Sequence, residues 1–521
     1  MRPDLWHDLL KTALLGTERQ RPSALGTGGG GALAAAFAKL SAAAPDAAVL
    51  GAAAVVSTSL RAGRVAPVDE SVRRAEPCEP DDFPPAGPRS EQHLRRLLAG
   101  DHMELLPEWL SAAAASGKRA PAMTLPALLD LARQKPELRE AVVPVLGKRG
   151  RWLAAQNPDW SFAVGATGPS ADDAQTESLW QTGDRAARMA LLSRLRHGDP
   201  ARARALLEAT WSQEPAADRG WFLATFQTGL SPADEPFLEA ALDDRGKEVR
   251  RIATDFLSRL GNSQLVRRMT ERAIPLLEWK AGKKPRVDVT LPPAPDKAAE
   301  RDGVEAKGSQ FRFGQKQGWL WFILSSVPPA TWSKRWVAKP AEILEAVRKN
   351  EFENVLVSAW AQAAARAGDA AWAEAVVASE LMTVMEWGRP DLAAELQSLL
   401  PDMRRESIIL EFLQSRSDAR HADDPVALTL LQAHERPWSP TLARAVVEHV
   451  REMIRKPPRA NYWQGSAMLR EAALRTPPAM LDELAAGWPE KEKDWDRWKG
   501  VVDEFLSTVQ FRRDMLEEVR R

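Results

Sequence analysis

At 521 residues the chain exceeds the size at which one hydrophobic core stops growing, so several sub-domains or one long array are expected. Its 71 basic and 71 acidic side chains cancel, which removes the global attraction behind non-specific binding to nucleic acid or anionic membranes and leaves only local patches to do so. The one cysteine, Cys78, excludes an intramolecular disulfide and a cysteine-based metal site; with an N-terminus that lacks a long apolar core, a cytoplasmic setting is expected.

In chain order, residues 3 to 15 carry helical apolar spacing (Leu5, Leu9, Leu10, Ala13, Leu14) that stops at Gly16. Beyond the loop from Gly26 to Gly31, the alanine-rich stretches 32–44 and 46–62 predict a helical pair broken at Pro45, completing an N-terminal helical region over 1–75. Pro77, Pro80, Pro84, Pro85 and Pro88 make 76–90 a stiff connector. From 91 to 279 nearly every segment predicts an amphipathic helix of about 10 to 16 residues closed by Gly, Pro or Asp, as antiparallel neighbours require. Residues 280–315 break that pattern with Pro285, Pro292, Pro293 and Pro295: no helix is expected, and either a short hairpin with Val287, Val289 and Leu291 on one face or disorder fits. Helical periodicity resumes at Gln315 and carries a C-terminal helical region over 316–521, clearest at 369–380 and 440–455. The run from Trp319 to Val327 falls short of the roughly 20 residues that span a bilayer and is expected to be a buried helix. The 20 tryptophans are expected mainly as core and inter-helix filler.

Within the array a repeat is visible. Arg188, Arg219 and Arg250 stand 31 residues apart, each followed by apolar residues at +2, +3 and +7: Ala190, Leu191, Leu195; Trp221, Phe222, Phe226; Ile252, Ala253, Leu257. The preceding helices keep the register, since Leu206-Leu207-Glu208-Ala209 becomes Phe237-Leu238-Glu239-Ala240. An earlier copy reads from Pro136-Glu137-Leu138-Arg139 into Ala141, Val142 and Leu146. The unit is a helix pair, and a fixed period of this size indicates an α-solenoid whose units stack to bury a face that none buries alone.

Leu242-Asp243-Asp244-Arg245-Gly246-Lys247-Glu248-Val249-Arg250 resembles the turn and second helix of HEAT repeats. That resemblance implies a ladder between units in which Asp244 and Arg250 are partners. Three blocks, Ala13 to Arg19, Gly147 to Trp160 and Asp234 to Glu239, together with Gly318 to Trp332, resemble a bacterial family of unknown function made of helical proteins. Its members are usually encoded beside MoxR-type AAA+ ATPases, von Willebrand factor A proteins and SWIM zinc-finger proteins, which implies partners of those kinds and assigns no chemistry.

Catalytic and cofactor patterns are weak. Gly26, Gly28 and Gly31 match the dinucleotide spacing with Asp46 downstream, but Thr17 to Pro22 is no buried strand. No Walker A lysine, G-x-S-x-G, H-E-x-x-H or histidine pair at i, i+4 occurs, and acidic pairs such as Asp243-Asp244 stand where helices start, as caps do. No catalytic residue, metal site or cofactor is expected.

Recognition is a different matter. Glu18 and Arg19 follow a glycine helix stop in a loop, where function concentrates, although Thr17 and Arg19 could instead satisfy the open helix end. Between Arg245 and Arg272 eight basic residues meet three acidic ones, and Lys247, Arg251, Arg267 and Arg268 fall outside the repeat register. These four are the candidates for contact with an acidic partner, while Arg188, Arg219 and Arg250 with Asp244 are structural register marks. The expected molecule is an all-α, HEAT-like α-solenoid of antiparallel helix pairs with one proline-rich insertion. Its expected role is a non-enzymatic scaffold or adaptor for protein partners, with nucleic-acid binding through a basic concave face as the alternative.

Overall fold

The computed structural model describes residues 4–19, 32–40, 43–62, 76–164, 173–305, 314–379, 390–415, 426–455 and 462–521. Among them the chain is all-α: 28 α-helices and short 3-10 turns, with a single two-stranded hairpin. Two compact units result, Met1–Pro77 and Cys78–Arg521.

In the first unit, helices Asp4–Leu15, Ala32–Leu40 and Pro45–Ala62 bury Leu9, Phe37, Val49, Ala52 and Val56 together. Gly16 takes a left-handed φ of 83° and donates its amide to Thr12 O at 3.0 Å, closing the first helix. Pro45 opens the third helix rather than merely separating two, because its missing N–H falls where no intrahelical acceptor exists. Gly26, Gly28 and Gly31 lie outside the described residues.

The second unit begins on the proline-rich stretch, held against the body by Asp81, 3.0 Å from Arg119 Nε, and by Asp82, 3.0 Å from Lys148 Nζ. The buried apolar side chains then form two groups. Those from Ala86 to Ala163 are completed by Phe511, Met515, Leu516 and Val519 of the last helix, Trp495–Arg520. Those from Trp180 to Val509 form the other, continuous core. Arg512 fastens the return of the C-terminus across 404 residues: it donates to both oxygens of Glu108 at 2.8 and 2.7 Å, and to Ala473 O and Thr476 O at 2.8 Å each. An array in which each unit meets only its neighbours has no such contact.

Successive helices occur over the repeat period: Pro200–Thr210 precedes Ala216–Ala224, and Glu235–Ala241 precedes and packs on Lys247–Arg259. Leu191, Phe222 and Ala253 at +3 are buried, as are Phe226 and Leu257 at +7. The +2 positions diverge, since Ile252 is buried but Trp221 is 55% exposed. Residues at +3 and +7 lie one turn apart on one face, whereas +2 lies about 100° round the helix from +3. The expected earlier copy at 136–146 is not a repeat helix. Pro136 and Pro144 divide it into a 3-10 turn, the four-residue helix Arg139–Val142 and a second 3-10 turn, although Val142 and Leu146 remain buried.

The hairpin starts before the insertion, in the last residues of the expected helical array: β1 (Leu277–Lys280) pairs antiparallel with β2 (Arg286–Val289), Leu277 opposite Val289 and Lys280 opposite Arg286. The expectation that no helix forms in 280–315 is corrected by the short helix Lys297–Arg301, where Asp296, placed after Pro295, accepts the Ala299 amide at 2.7 Å and starts a turn that prolines upstream do not prevent. Trp319, Leu320, Ile323 and Leu324 of helix Gln315–Ser325 are buried. Among the described residues no helix is long and apolar enough to cross a membrane.

Candidate functional site

The arginines at 31-residue spacing form a ladder in which Arg250 does meet Asp244, through its main-chain oxygen, while the Asp244 carboxylate goes to Arg219. Arg188 Nη1 donates at 3.1 Å to Glu214 Oε2, with Nη2 facing the other oxygen, and its guanidinium lies 4.1 Å over Trp180 and 4.7 Å over Phe222. Arg219 donates to the Glu214 main-chain oxygen at 2.6 Å and pairs with the next acid, Nη2 at 2.9 Å from Asp244 Oδ1 and Nε at 2.8 Å from Oδ2. Arg250 in turn donates to the Asp244 main-chain oxygen at 2.7 Å. Each rung therefore uses two arginines on one acidic residue: the earlier takes the carboxylate, 26 or 25 residues ahead, and the later takes the carbonyl.

The electrostatics follow from burial. The Arg219–Asp244 side chains are 5% and 6% exposed. Burial raises the Asp244 pKa, but hydrogen bonds from Arg219 and from the Gly246 amide, which lies 2.7 Å away, hold it below the ordinary value. Arg250 reaches the end of the series. Twenty-five or 26 residues beyond it stand Pro275 and Leu276, in the 3-10 turn that leads into β1, so the position of the next acid is occupied by groups without charge. Arg250 is half-buried and has the Asp244 carbonyl as its hydrogen-bond partner, with no carboxylate among the described residues.

That open end faces a cavity of about 660 Å3 between the Lys247–Arg259, Lys297–Arg301 and Gln315–Ser325 helices. Trp319, Trp321 and Phe322 supply an aromatic wall. Gly303, at φ 98°, makes the close approach possible, since a Cβ there would stand 2.8 Å from Phe322 Cζ and 3.2 Å from Thr254 Oγ1. Thr254, one turn after Arg250 on the same helical face, is 4% exposed, and its hydroxyl has no hydrogen-bond partner among the described residues. The rim is fixed by ion pairs: Lys247 with Glu305 at 2.9 Å, Arg301 with Asp243 at 2.7 Å, and Arg366 with Asp255 at 3.0 Å. Burial raises the Asp255 pKa, yet the charges of Arg366 and Arg259 bring it below the ordinary value, so it is an occupied anion.

A family model matches residues 8–519. The chain belongs to the family of unknown function DUF5691. No curated protein and no solved structure matches it. The DUF5691 match thus covers the ladder, the cavity and the returning C-terminal helix alike.

Of the four contact candidates, three are engaged within the chain. Lys247 pairs with Glu305, and Arg251 pairs with Glu248 at 2.7 Å, both at exposed positions. Arg268 is a strut: it bonds Asp302 at 2.7 Å and Glu239 at 3.1 Å, and Asp302, 1% exposed, also holds Arg272 at 2.6 Å. Arg267 is exposed at the edge of a separate depression near Asn262 and Pro328. Glu18 and Arg19 are exposed in the other unit, where Arg19 donates its amide to Gly16 O at 3.1 Å and Thr17 donates to Asp46.

Sequence reasoning missed the most buried charges. Arg196 and Asp234 are both 0% exposed and bond through 3.0 and 2.9 Å contacts, with Arg204 adding a third at 2.8 Å and Phe226 4.2 Å beneath the guanidinium. Asp234 belongs to one of the blocks that carried the family resemblance, which was the available signal for it. Among the described residues no group of His, Cys, Asp and Glu is arranged to hold a metal ion.

Proposed function

We propose that this DUF5691 chain is a HEAT-like helical-repeat scaffold or adaptor that holds protein partners in the cytoplasm, with a MoxR-type AAA+ ATPase or its von Willebrand factor A partner as the first to test. The observation that carries the reading is the open ladder end. Two successive arginines find their carboxylate in the next unit, and the third meets a cavity with aromatic walls instead. The packing continues past this point, but the carboxylate place beside Arg250 is left unfilled among the described residues, and such a place is suited to receive an acidic element from another protein.

The pairing of Lys247, Arg251 and Arg268 with carboxylates favours this reading over nucleic-acid binding, because phosphates would have to displace acids already in place. The test is affinity capture of the full-length chain from its native host, with and without ATP. Recovery of the ATPase or the von Willebrand protein is expected; recovery of neither refutes the named partners. A salt titration of DNA affinity with a steep logarithmic slope would instead support the nucleic-acid alternative.

A further inference from the structure

We infer that the Arg250 cavity is the seat for an acidic turn of a protein partner, whose carboxylate takes at Arg250 the place that Asp244 takes at Arg219 and Glu214 at Arg188. The inference rests on the protein-partner reading and adds the chemistry of what is recognised. Five basic and four acidic side chains line the cavity, so its overall field is weak and recognition falls to the particular groups left unused.

Two such groups lie one turn apart on the same helical face. Arg250 has spent one donor on the Asp244 carbonyl, and the rest of its planar fork matches a carboxylate. The Thr254 hydroxyl is buried at the cavity wall beside Gly303 without a partner among the described residues, and a small shift there makes it a donor for an incoming oxygen. The aromatic wall specifies what accompanies the acid. In the turn that serves Arg219, Leu242 is 1% exposed two residues before Asp244. Trp319, Trp321 and Phe322 offer an apolar side chain a comparable place beside Arg250.

The chain supplies its own probe: a synthetic peptide with the sequence of residues 238–248, which contains the acidic turn Leu242 to Gly246. Titrated calorimetrically into the full-length protein, it is expected to bind saturably. Affinity should fall at least about tenfold for the peptide carrying Asp244→Asn, and by a similar factor for the protein variant Arg250→Gln. Thr254→Val preserves side-chain shape and leaves no unpaired hydroxyl, so it should fold as well as the parent and still bind severalfold more weakly. Undiminished binding by both protein variants overturns the seat, as does the absence of saturable binding. Competition by free acetate at the same concentration as the peptide also overturns it, since the site would then read any small carboxylate. A partner captured equally by the parent and by Arg250→Gln would refute the seat and leave the partner reading standing. Arg250-dependent peptide binding with no captured partner would do the reverse.

Discussion

Asp244→Ala probes the ladder at its most buried rung. The substitution removes the two oxygens that face Arg219 at 2.8 and 2.9 Å and the acceptor of the Gly246 amide at 2.7 Å. Arg219, 5% exposed, is left as a buried charge with the Glu214 carbonyl as its remaining hydrogen-bond partner. Breaking one side of a buried pair costs about 3–5 kcal/mol, far more than the pair contributes when both members are exchanged for apolar residues. The exposed Arg251–Glu248 pair, 63% exposed on each side, sets the contrast: Arg251→Ala should cost no more than about 1 kcal/mol. Hydrogen exchange read by mass spectrometry on peptides from the 216–224 and 247–259 helices measures the local opening free energy directly. Asp244→Ala should speed exchange there by about a hundredfold or more, and adding Arg219→Met should recover part of the loss through a coupling of about 1–3 kcal/mol. Acceleration below about fivefold, equal to that of Arg251→Ala, would refute the view that the ladder holds these units together.

Two other outcomes follow from the same geometry. Arg512→Ala removes four hydrogen bonds from a side chain 2% exposed and should loosen the C-terminal helix by about 2–4 kcal/mol, seen as new proteolytic cleavage within 495–520; Arg89→Ala, whose partner contact is 76% exposed on the arginine side, should leave the cleavage pattern unchanged. Acid should destabilise the protein in two phases. Burial lowers the pKa of His434 and His449 from 6.5, so as pH falls below that value the unfolded chain takes up protons first and stability declines. Asp234 is buried and Asp244 and Asp255 are partly so, which opposes ionisation, but their arginine partners hold all three below 3.8, so their contribution persists above that value and is lost as pH falls through it towards the folded pKa. Thermal unfolding across pH checks both, and the upper phase should shrink in His434→Gln; an unchanged upper phase in that variant would discount His434.

The all-α class was legible because helical spacing, caps and breakers are local. Gly16 ends a helix, Pro45 starts one, and the 31-residue recurrence of Arg188, Arg219 and Arg250 marks equivalent places in successive helices. The failures share a cause. The resemblance to HEAT repeats makes Asp244 and Arg250 partners, and they do bond through the Asp244 carbonyl, but that the carboxylate goes to the arginine of the preceding unit is decided by the backbone. The split of the 136–146 helix follows from Pro136 and Pro144, which outweigh a matching apolar pattern. Asp234 stood in a block that carried the family resemblance, but its pairing with Arg196, both wholly buried, was not legible, because a charge looks solvated in a sequence until its partner is known.

The amino-acid sequence alone determined where helices form, which faces are apolar and the spacing of the ladder, since these depend on neighbours within a few turns. Tertiary structure decided which carboxylate each arginine meets, that Glu108 and Arg512 close on each other across 404 residues, and that Arg250 is left facing a cavity. Those outcomes depend on how packed helices position charges from distant segments, and the desolvation of each charge makes its particular partner decisive.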